Sequence, residues 1–328
     1  MRRWVLMTVT ALLAAGCTTS PPAAAPRSSR VATPNPSVSG PARPPARLRV
    51  RQLALRLPRP VAREALAWTA DPSRVLVAGG LLAEDVSSAS TYTLDLRTGR
   101  SRVLHDLPTP VHDTAAATLA GATLVIGGGN ASEQSVVQGR RGKRWTLVGH
   151  LPSARSDLAA PAGGGRVYVV GGYDGGSPAL ADVLVSADGK RWSTAARLPV
   201  PVRYAATALV GTSLWVFGGE RNGSMVDAVQ RVDLATGRAR VVAHLRHVLG
   251  HAVVVRLGDR VLVVGGRTAP DRLTSRMWWF APGSRRFSPA GRLPAPLADS
   301  AVVSRGRTAY LVGGETPALS DRVLRLRW

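Results

Sequence analysis

The feature that most constrains this chain is a short apolar run ending in a glycine pair, which occurs six times. In one copy, Leu214-Trp215-Val216-Phe217 precedes Gly218-Gly219. The copies span residues 75–80, 124–129, 167–172, 214–219, 261–266 and 309–314, and their first glycines lie 44 to 48 residues apart. A period of this size marks a repeat fold in which each unit is too small to bury its own apolar face.

Each unit predicts four short strands and no helix. Most units open with a Leu-Pro pair, continue through small residues such as Ala115-Ala116-Ala117 to a glycine turn, and then reach the glycine-pair run. An alternating strand such as 91–96, a second glycine turn and a last short strand complete the unit. Period-2 alternation bounded by Gly and Pro is typical of strands. Six such units predict an all-β fold, a six-bladed β-propeller with four antiparallel strands per blade.

The two ends of the repeat region predict how the ring closes. The sixth unit stops at Trp328 after its third strand, whereas a surplus strand, residues 48–56, precedes the first Leu-Pro pair. We therefore expect this N-terminal strand to be the fourth strand of the last blade, which removes two open sheet edges.

The repeat resembles the Kelch family over essentially all of residues 48–328. The resemblance depends on the glycine pairs and on the Leu-Pro pairs at Leu57, Leu107, Leu151, Leu198 and Leu293. Aromatic residues six positions before the next Leu-Pro pair (Trp145, Trp192, Phe287) and arginines after it (Arg155, Arg203) add to it. Leu245-Arg246 departs from the pattern, as do Ser101 and Ala239 in the aromatic column.

The first 46 residues predict export and lipid anchoring. Met1-Arg2-Arg3 and the apolar run that follows have the layout of a secretory signal peptide, residues 1–16. Residues 13–17 resemble the lipobox of bacterial lipoproteins, which implies that Cys17, the single cysteine, is lipidated. Ordinary cleavage with a free thiol is the alternative. Residues 18–46 are rich in Pro, Ala and Ser, so 17–46 is expected to be a disordered linker to the propeller, residues 47–328. The expected location is the outer face of the cytoplasmic membrane or the cell envelope.

The formal net charge is +23, and arginine supplies nearly all of it, with only Lys143 and Lys190 as lysines. One interpretation is an anionic partner such as lipid headgroups, an envelope polymer or acidic glycans. The other is a compositional bias toward Arg, Ala, Gly and Pro. Nucleic acid is not expected as a partner of an exported lipoprotein, and a monomer is expected.

Signatures of metal and cofactor chemistry are sparse. The six histidines form no HExxH motif and no Cys/His ligand set, and no GxSxG elbow is present. Galactose oxidase, which shares Kelch repeats, needs a cysteine cross-linked to tyrosine, but Cys17 lies in the signal region. The expectation is therefore no metal and no cofactor.

Two functions remain open. The first is a binding module that holds a glycan, peptide or protein at one face of the propeller. The second is a cofactor-free sugar enzyme, since six-bladed Kelch propellers include the bacterial sialic-acid mutarotases. Fold alone does not decide between them.

The candidate site is a ring of polar residues at one repeat position. The sixth residue after each Leu of the Leu-Pro position is polar or titratable, although the strands that follow are mostly small and apolar. These residues are Arg63, Asp113, Asp157, Tyr204, His251 and Asp299. His112 and Arg203 stand one place earlier, and Tyr173, Asp174, Glu220, Arg221, Arg267 and Glu315 follow glycine pairs. We expect them to converge at the channel mouth, where a polar concave opening is the default binding site; the alternative is that they tie the blades together.

Overall fold

The structure, a computed structural model, describes residues 48–328. The predicted signal peptide, the lipidation site Cys17 and the linker lie outside the described residues. Within residues 48–328, no helix is long and apolar enough to cross a membrane.

Six four-stranded antiparallel sheets form the blades of a propeller, as predicted. The chain begins with β1 (Arg49–Arg56). Blade 1 contains β2 (Ala65–Trp68), β3 (Arg74–Ala78), β4 (Thr91–Asp95) and β5 (Ser101–Val103). Blade 2 contains β6 (Ala115–Leu119), β7 (Ala122–Ile126), β8 (Val136–Arg141) and β9 (Arg144–His150). Blade 3 contains β10 (Ala162–Gly163), β11 (Arg166–Val170), β12 (Asp182–Ser186) and β13 (Ser193–Arg197).

The last three blades repeat this order. Blade 4 contains β14 (Ala206–Val210), β15 (Ser213–Phe217), β18 (Ala228–Asp233) and β19 (Ala239–His244), with a small hairpin of β16 (Glu220–Arg221) and β17 (Ser224–Met225) between its second and third strands. Blade 5 contains β20 (Val253–Leu257), β21 (Arg260–Val264), β24 (Arg276–Ala281) and β25 (Arg286–Arg292), with the hairpin β22 (Arg267–Ala269) and β23 (Arg272–Leu273). Blade 6 contains β26 (Ala301–Arg305), β27 (Thr308–Val312) and β28 (Arg322–Arg327).

The N-terminal strand closes the ring, as the sequence predicts. Strand β1 pairs antiparallel with β28, in a register that places Val50 opposite Leu326. The blade 6 sheet therefore has the order β1-β28-β27-β26, and its fourth strand comes from the opposite end of the chain.

The glycine pairs hold each blade to the next one. The second glycine of each pair donates its N–H to a carbonyl of the following blade at 2.8 to 3.0 Å, and the last of these six bonds, from Gly314 to Val61, spans the closure. The blades approach so closely that a Cβ on Gly218 would lie 1.9 Å from the Leu249 carbonyl oxygen. Only glycine fits here, because both residues of the pair also have positive φ angles.

The core lies between neighbouring blades. The second strand of each blade is buried on both faces, and all five residues of β15 are buried. Phe217 of blade 4 packs against Phe280 of blade 5 with ring centroids 5.2 Å apart. Burial on both faces explains why these strands are continuously apolar rather than alternating.

Two local features differ from the sequence prediction. A short 3₁₀ turn, Ala83–Asp85, occurs in a loop of blade 1, where no helical element was predicted. The innermost strand of blade 3 is only two residues long, Ala162–Gly163, because Pro161 just before it has no N–H to donate to a ladder.

Candidate functional site

The six ring residues meet at one end of the central channel, and their backbones form the rim. All six have positive φ angles, between 50° and 60°. Five of them donate their backbone N–H to the carbonyl of the ring residue in the preceding blade, at 2.8 to 3.1 Å; the chain of bonds runs from Asp113 through Asp157, Tyr204, His251 and Asp299 to Arg63. At each ring position this conformation turns the backbone sharply into the inner strand of the blade, while the side chain stays at the mouth.

The loops after the glycine pairs supply a second set of side chains at the same face. The residue before each ring position forms a β-bridge with the residue after a glycine pair. These bridges pair Arg203 with Glu220, Gly250 with Arg267, and Ala298 with Glu315. The repeat geometry therefore brings Glu220, Arg267 and Glu315 beside the ring.

A buried histidine is held between two carboxylates. His251 Nδ1 lies 2.6 Å from Asp299 Oδ1, and its Nε2 lies 3.1 Å from Glu220 Oε2. Burial alone would lower the pKa of His251, but these carboxylates outweigh it and raise that pKa to about 9. The hydrogen bond from His251 lowers the pKa of Glu220 to about 2. His251 is thus an imidazolium at neutral pH, and Tyr204 stacks on it with centroids 3.9 Å apart.

Three arginines at the mouth are all paired with carboxylates. Arg63 lies 3.3 Å from Asp113 and 3.1 Å from Glu315. Arg203 contacts Glu220 and lies 3.4 Å from Asp157. Arg267 contacts Glu315 and lies 3.2 Å from Asp299. The network therefore links the ring of one blade to the loops of others.

Two carboxyl groups of the ring have pKa values near neutrality. Burial raises the pKa of Asp113 to about 6, although Arg63 opposes the shift. Burial, and then the charge of Asp113, raises the pKa of Asp157 to about 7. Groups with perturbed pKa values in a cleft are candidates for binding or proton transfer.

The ring encloses a cavity of about 250 Å³. Its opening is lined by the polar ring, and its depth by small and apolar residues of the inner strands, such as Ala116, Ala160 and Val254. Within residues 48–328, no group of three His, Cys, Asp or Glu side chains is arranged to hold a metal ion.

The remaining predicted residues differ in how they relate to the ring. His112 lies 3.4 Å from Asp113 and 2.8 Å from the Ser87 hydroxyl, and Tyr173 lies under Arg203 at 5.1 Å. Asp174 instead accepts the backbone N–H groups of its own loop, at Gly176 and Ser177. Arg221 is exposed in the small hairpin of blade 4. The structure therefore does not bring Asp174 or Arg221 into the network.

Sequence reasoning missed Glu64, which is 4% exposed and lines the cavity beside Arg63. Neither of its carboxylate oxygens has a hydrogen-bond partner, and the same is true of the buried Tyr92 hydroxyl. Burial raises the pKa of Glu64 to about 8. The signal that could have found it is a glutamate at a position where none of the other five units has a charged residue; they have Thr114, Leu158, Ala205, Ala252 and Ser300.

Comparisons with known proteins agree with this architecture. Residues 136–314 match a family model described as the KLHDC2/KLHL20/DRC7 Kelch-repeats domain. Among solved structures, one titled "Structure of YjhT" superposes with a TM-score of 0.70 at 18% identity, covering 82% of this chain and 95% of that chain. Likeness at this identity shows the fold alone. No curated protein matches the chain. The family match spans more than half of the chain, and the chain therefore belongs to the Kelch-repeat family.

Proposed function

We propose that this protein is a binding module that holds an uncharged, polyhydroxylated ligand, a glycan, at the channel mouth. On the sequence evidence of residues 1–46, we further propose that it works at the cell envelope, anchored through Cys17. A Kelch propeller is a common scaffold for binding, and its ligand specificity depends on the residues grafted onto one face.

The observation that carries this proposal is the mutual pairing of charges at the mouth. Arg63, Arg203 and Arg267 each contact at least two carboxylates. His251 contacts Glu220, which it shares with Arg203, and Asp299, which it shares with Arg267. Pairing leaves many hydrogen-bond donors and acceptors but no free guanidinium. A sugar hydroxyl can both donate and accept, so it suits such a surface better than a charged group does.

Aromatic faces beside the network support the same class of ligand. Tyr173 and Tyr204 lie 5.1 and 5.5 Å from the Arg203 guanidinium, so they stand at the mouth. The apolar face of a sugar ring packs on aromatic rings, and the cavity of about 250 Å³ suits a small ligand such as one sugar ring.

The second candidate is a sugar enzyme resembling the sialic-acid mutarotases. The observation that favours it is the pair Asp113 and Asp157, whose pKa values of about 6 and 7 suit general acid–base work at neutral pH. Opening and closing a sugar ring needs one proton removed and one delivered. Against it, the carboxylate of sialic acid would have to compete with resident carboxylates for Arg63, Arg203 or Arg267.

Saturation-transfer NMR with a panel of neutral sugars and sialic acid tests both functions. We expect transfer to a neutral sugar, and at least about tenfold weaker binding in Asp113→Asn and Tyr204→Ala, because each loses a hydrogen bond or an aromatic face. Asp259→Ala is the control, since Asp259 is exposed in a turn at the opposite face.

Three outcomes would redirect the proposal. Accelerated exchange between sialic acid anomers, lost in Asp113→Asn, would favour the enzyme. Capture of a peptide or protein with no sugar bound would replace the glycan. Loss of binding in Asp259→Ala with full binding in the mouth variants would place the site on the other face.

A further inference from the structure

A second cluster of arginines lies on the side of the propeller away from the mouth. A groove of about 550 Å³ runs over the fourth strand of blade 4, and it is lined by Arg231, Arg238, Arg240 and, from blade 5, Arg285. Arg238, Arg240 and Arg285 are exposed, and Arg231 is half-buried. This groove shares no residue with the channel mouth.

Blade 5 departs from the repeat at the residue that borders this groove. In blades 1 and 4, the hairpin between the third and fourth strands ends on Gly99 and Gly237, which donate their N–H to Asp95 and Asp233 at 2.8 Å. Arg285 takes the same place in blade 5, donating to Ala281 at 2.7 Å. Its φ of 56° is in the left-handed region, where an arginine is an outlier.

Glycine at this position lets the hairpin touch the preceding blade. A Cβ on Gly99 would lie 2.9 Å from the Leu55 Cβ, and a Cβ on Gly237 would lie 2.7 Å from the Ala195 carbonyl oxygen. Leu55 and Ala195 belong to the fourth strands of the preceding blades. Arg285 has a Cβ, so its hairpin cannot approach β19 in that way, and a groove lies between them.

Most of the positive charge in the groove is not balanced by the protein, although Arg231 acts electrostatically on Asp233 and donates its Nε–H to the Ser213 hydroxyl at 2.9 Å. Within residues 48–328, no carboxylate forms an ion pair with the four arginines. The one acidic residue in the lining, Asp233, accepts the backbone N–H groups of Ala235 and Thr236 at 3.0 and 3.1 Å. Arg231 and Arg240 stand directly opposite each other across β18 and β19, an arrangement that destabilises a sheet. Arg285 adds a further positive charge to the lining of this groove, at a backbone conformation that is costly for arginine.

We propose that this groove binds a multivalent phosphate group. Guanidinium groups bind phosphate oxygens through two parallel hydrogen bonds. The groove has four arginines and one acidic residue, so its net positive charge suits a ligand with several negative charges better than a ligand with one. The three mouth arginines are paired with carboxylates, whereas the groove gathers four arginines that form no ion pair within residues 48–328, so their positive charge is open to a partner. The phosphate can come from a soluble polyphosphate or from a lipid headgroup, and the groove recognises their shared chemistry.

Calorimetry with the full chain and inorganic tripolyphosphate at low salt tests this site. We expect one site per chain, weakened at least about tenfold by Arg285→Gly and by Arg240→Gln, since each removes charge-assisted hydrogen bonds. Arg285→Gly installs the residue that the equivalent hairpins have, so it relieves backbone strain and should not lower the melting temperature. Sedimentation with phosphatidylglycerol vesicles, against phosphatidylcholine vesicles, provides the lipid arm.

The hairpin of blade 1 offers a matched control. Its sequence, Asp-Leu-Arg-Thr-Gly-Arg-Ser-Arg, is similar to that of the blade 4 hairpin and includes Arg100 and Arg102. Arg102, however, stands opposite Thr93 rather than opposite an arginine. Arg100→Gln with Arg102→Gln should leave binding within about twofold of wild type. Binding of either probe that depends on Arg285 supports the site, and the arm that responds identifies the source. No binding of either probe, full binding by Arg285→Gly, or an equal loss in the control pair would overturn it.

Discussion

At the scale of single residues, the mouth is built from conformations that most side chains avoid. Six residues other than glycine occupy the left-handed region at one repeat position, which costs roughly 1 kcal/mol or more each. The backbone bonds between neighbouring ring residues offset part of that cost. Asp113 and Asp157 suit the position, because aspartate tolerates this region better than most residues.

Glu64 predicts a loss of stability as pH rises. Its ordinary pKa near 4.5 is raised to about 8 in the fold, so between these values the folded chain keeps a proton that the unfolded chain releases. Stability should therefore be full below about pH 4.5 and fall by at most roughly 1.4 kcal/mol per pH unit up to about pH 8. Glu64→Gln removes this titrating group and with it this part of the pH dependence.

Urea unfolding of both proteins at pH 5, 6.5 and 8 measures the effect. We expect the free energy of unfolding of Glu64→Gln to increase steadily relative to that of wild type as pH rises. Asp113, Asp157 and His251 titrate in both proteins, so their contributions cancel in this difference. A difference that does not change with pH would show that Glu64 is charged in the folded chain.

At the scale of elements, the sequence predicts the framework better than the contacts. The repeat period and the recurring glycine and Leu-Pro pairs predicted six blades and the closing strand, because glycine and proline occur where the backbone geometry requires them and that geometry is the same in every unit. Counting from the Leu-Pro position also found all six ring residues. The clamp of His251 between Glu220 and Asp299 could not be predicted, because it depends on side-chain directions across three blades. Glu220 follows its glycine pair directly, whereas Asp174 lies one place further along and accepts backbone N–H groups of its own loop.

The closing strand makes a prediction at this scale. A chain starting at Arg59 lacks β1 and exposes the edge of β28, whereas a chain starting at Arg47 keeps the ladder. We expect the shorter chain to aggregate or to melt well below the longer one, because an open edge pairs with other chains. Thermal melts with light scattering compare the two. Equal melting temperatures would mean that β1 contributes nothing to closure.

For the molecule as a whole, the arginines behind the net charge of +23 differ in whether carboxylates pair with them. Arginines at the mouth are neutralised by carboxylates, and those of the blade 4 groove are not. Composition alone could not separate a partner-binding surface from a compositional bias, because it carries no information on which charges are paired.

The proposed anchor is tested by Cys17→Ser. Several acyl chains hold a protein firmly on a membrane, whereas one binds only marginally. We expect the variant to move from the membrane fraction to the soluble fraction or the medium, as followed by fractionation and immunoblotting. Retention of the variant at the wild-type level in membranes would rule out Cys17 as the anchor.

The backbone hydrogen bonds of the rim allow the side chains at the mouth to change during evolution. Its bonds join backbone atoms only, so they hold the six positions in place whatever side chains stand there. The repeat pattern that specifies the blades lies in the glycine pairs and the second strands, at positions other than those of the rim. Rim side chains that contact one another, such as His251 and Asp299, have to change together, but the backbone bonds remain, so related chains can diverge in ligand while keeping the same scaffold.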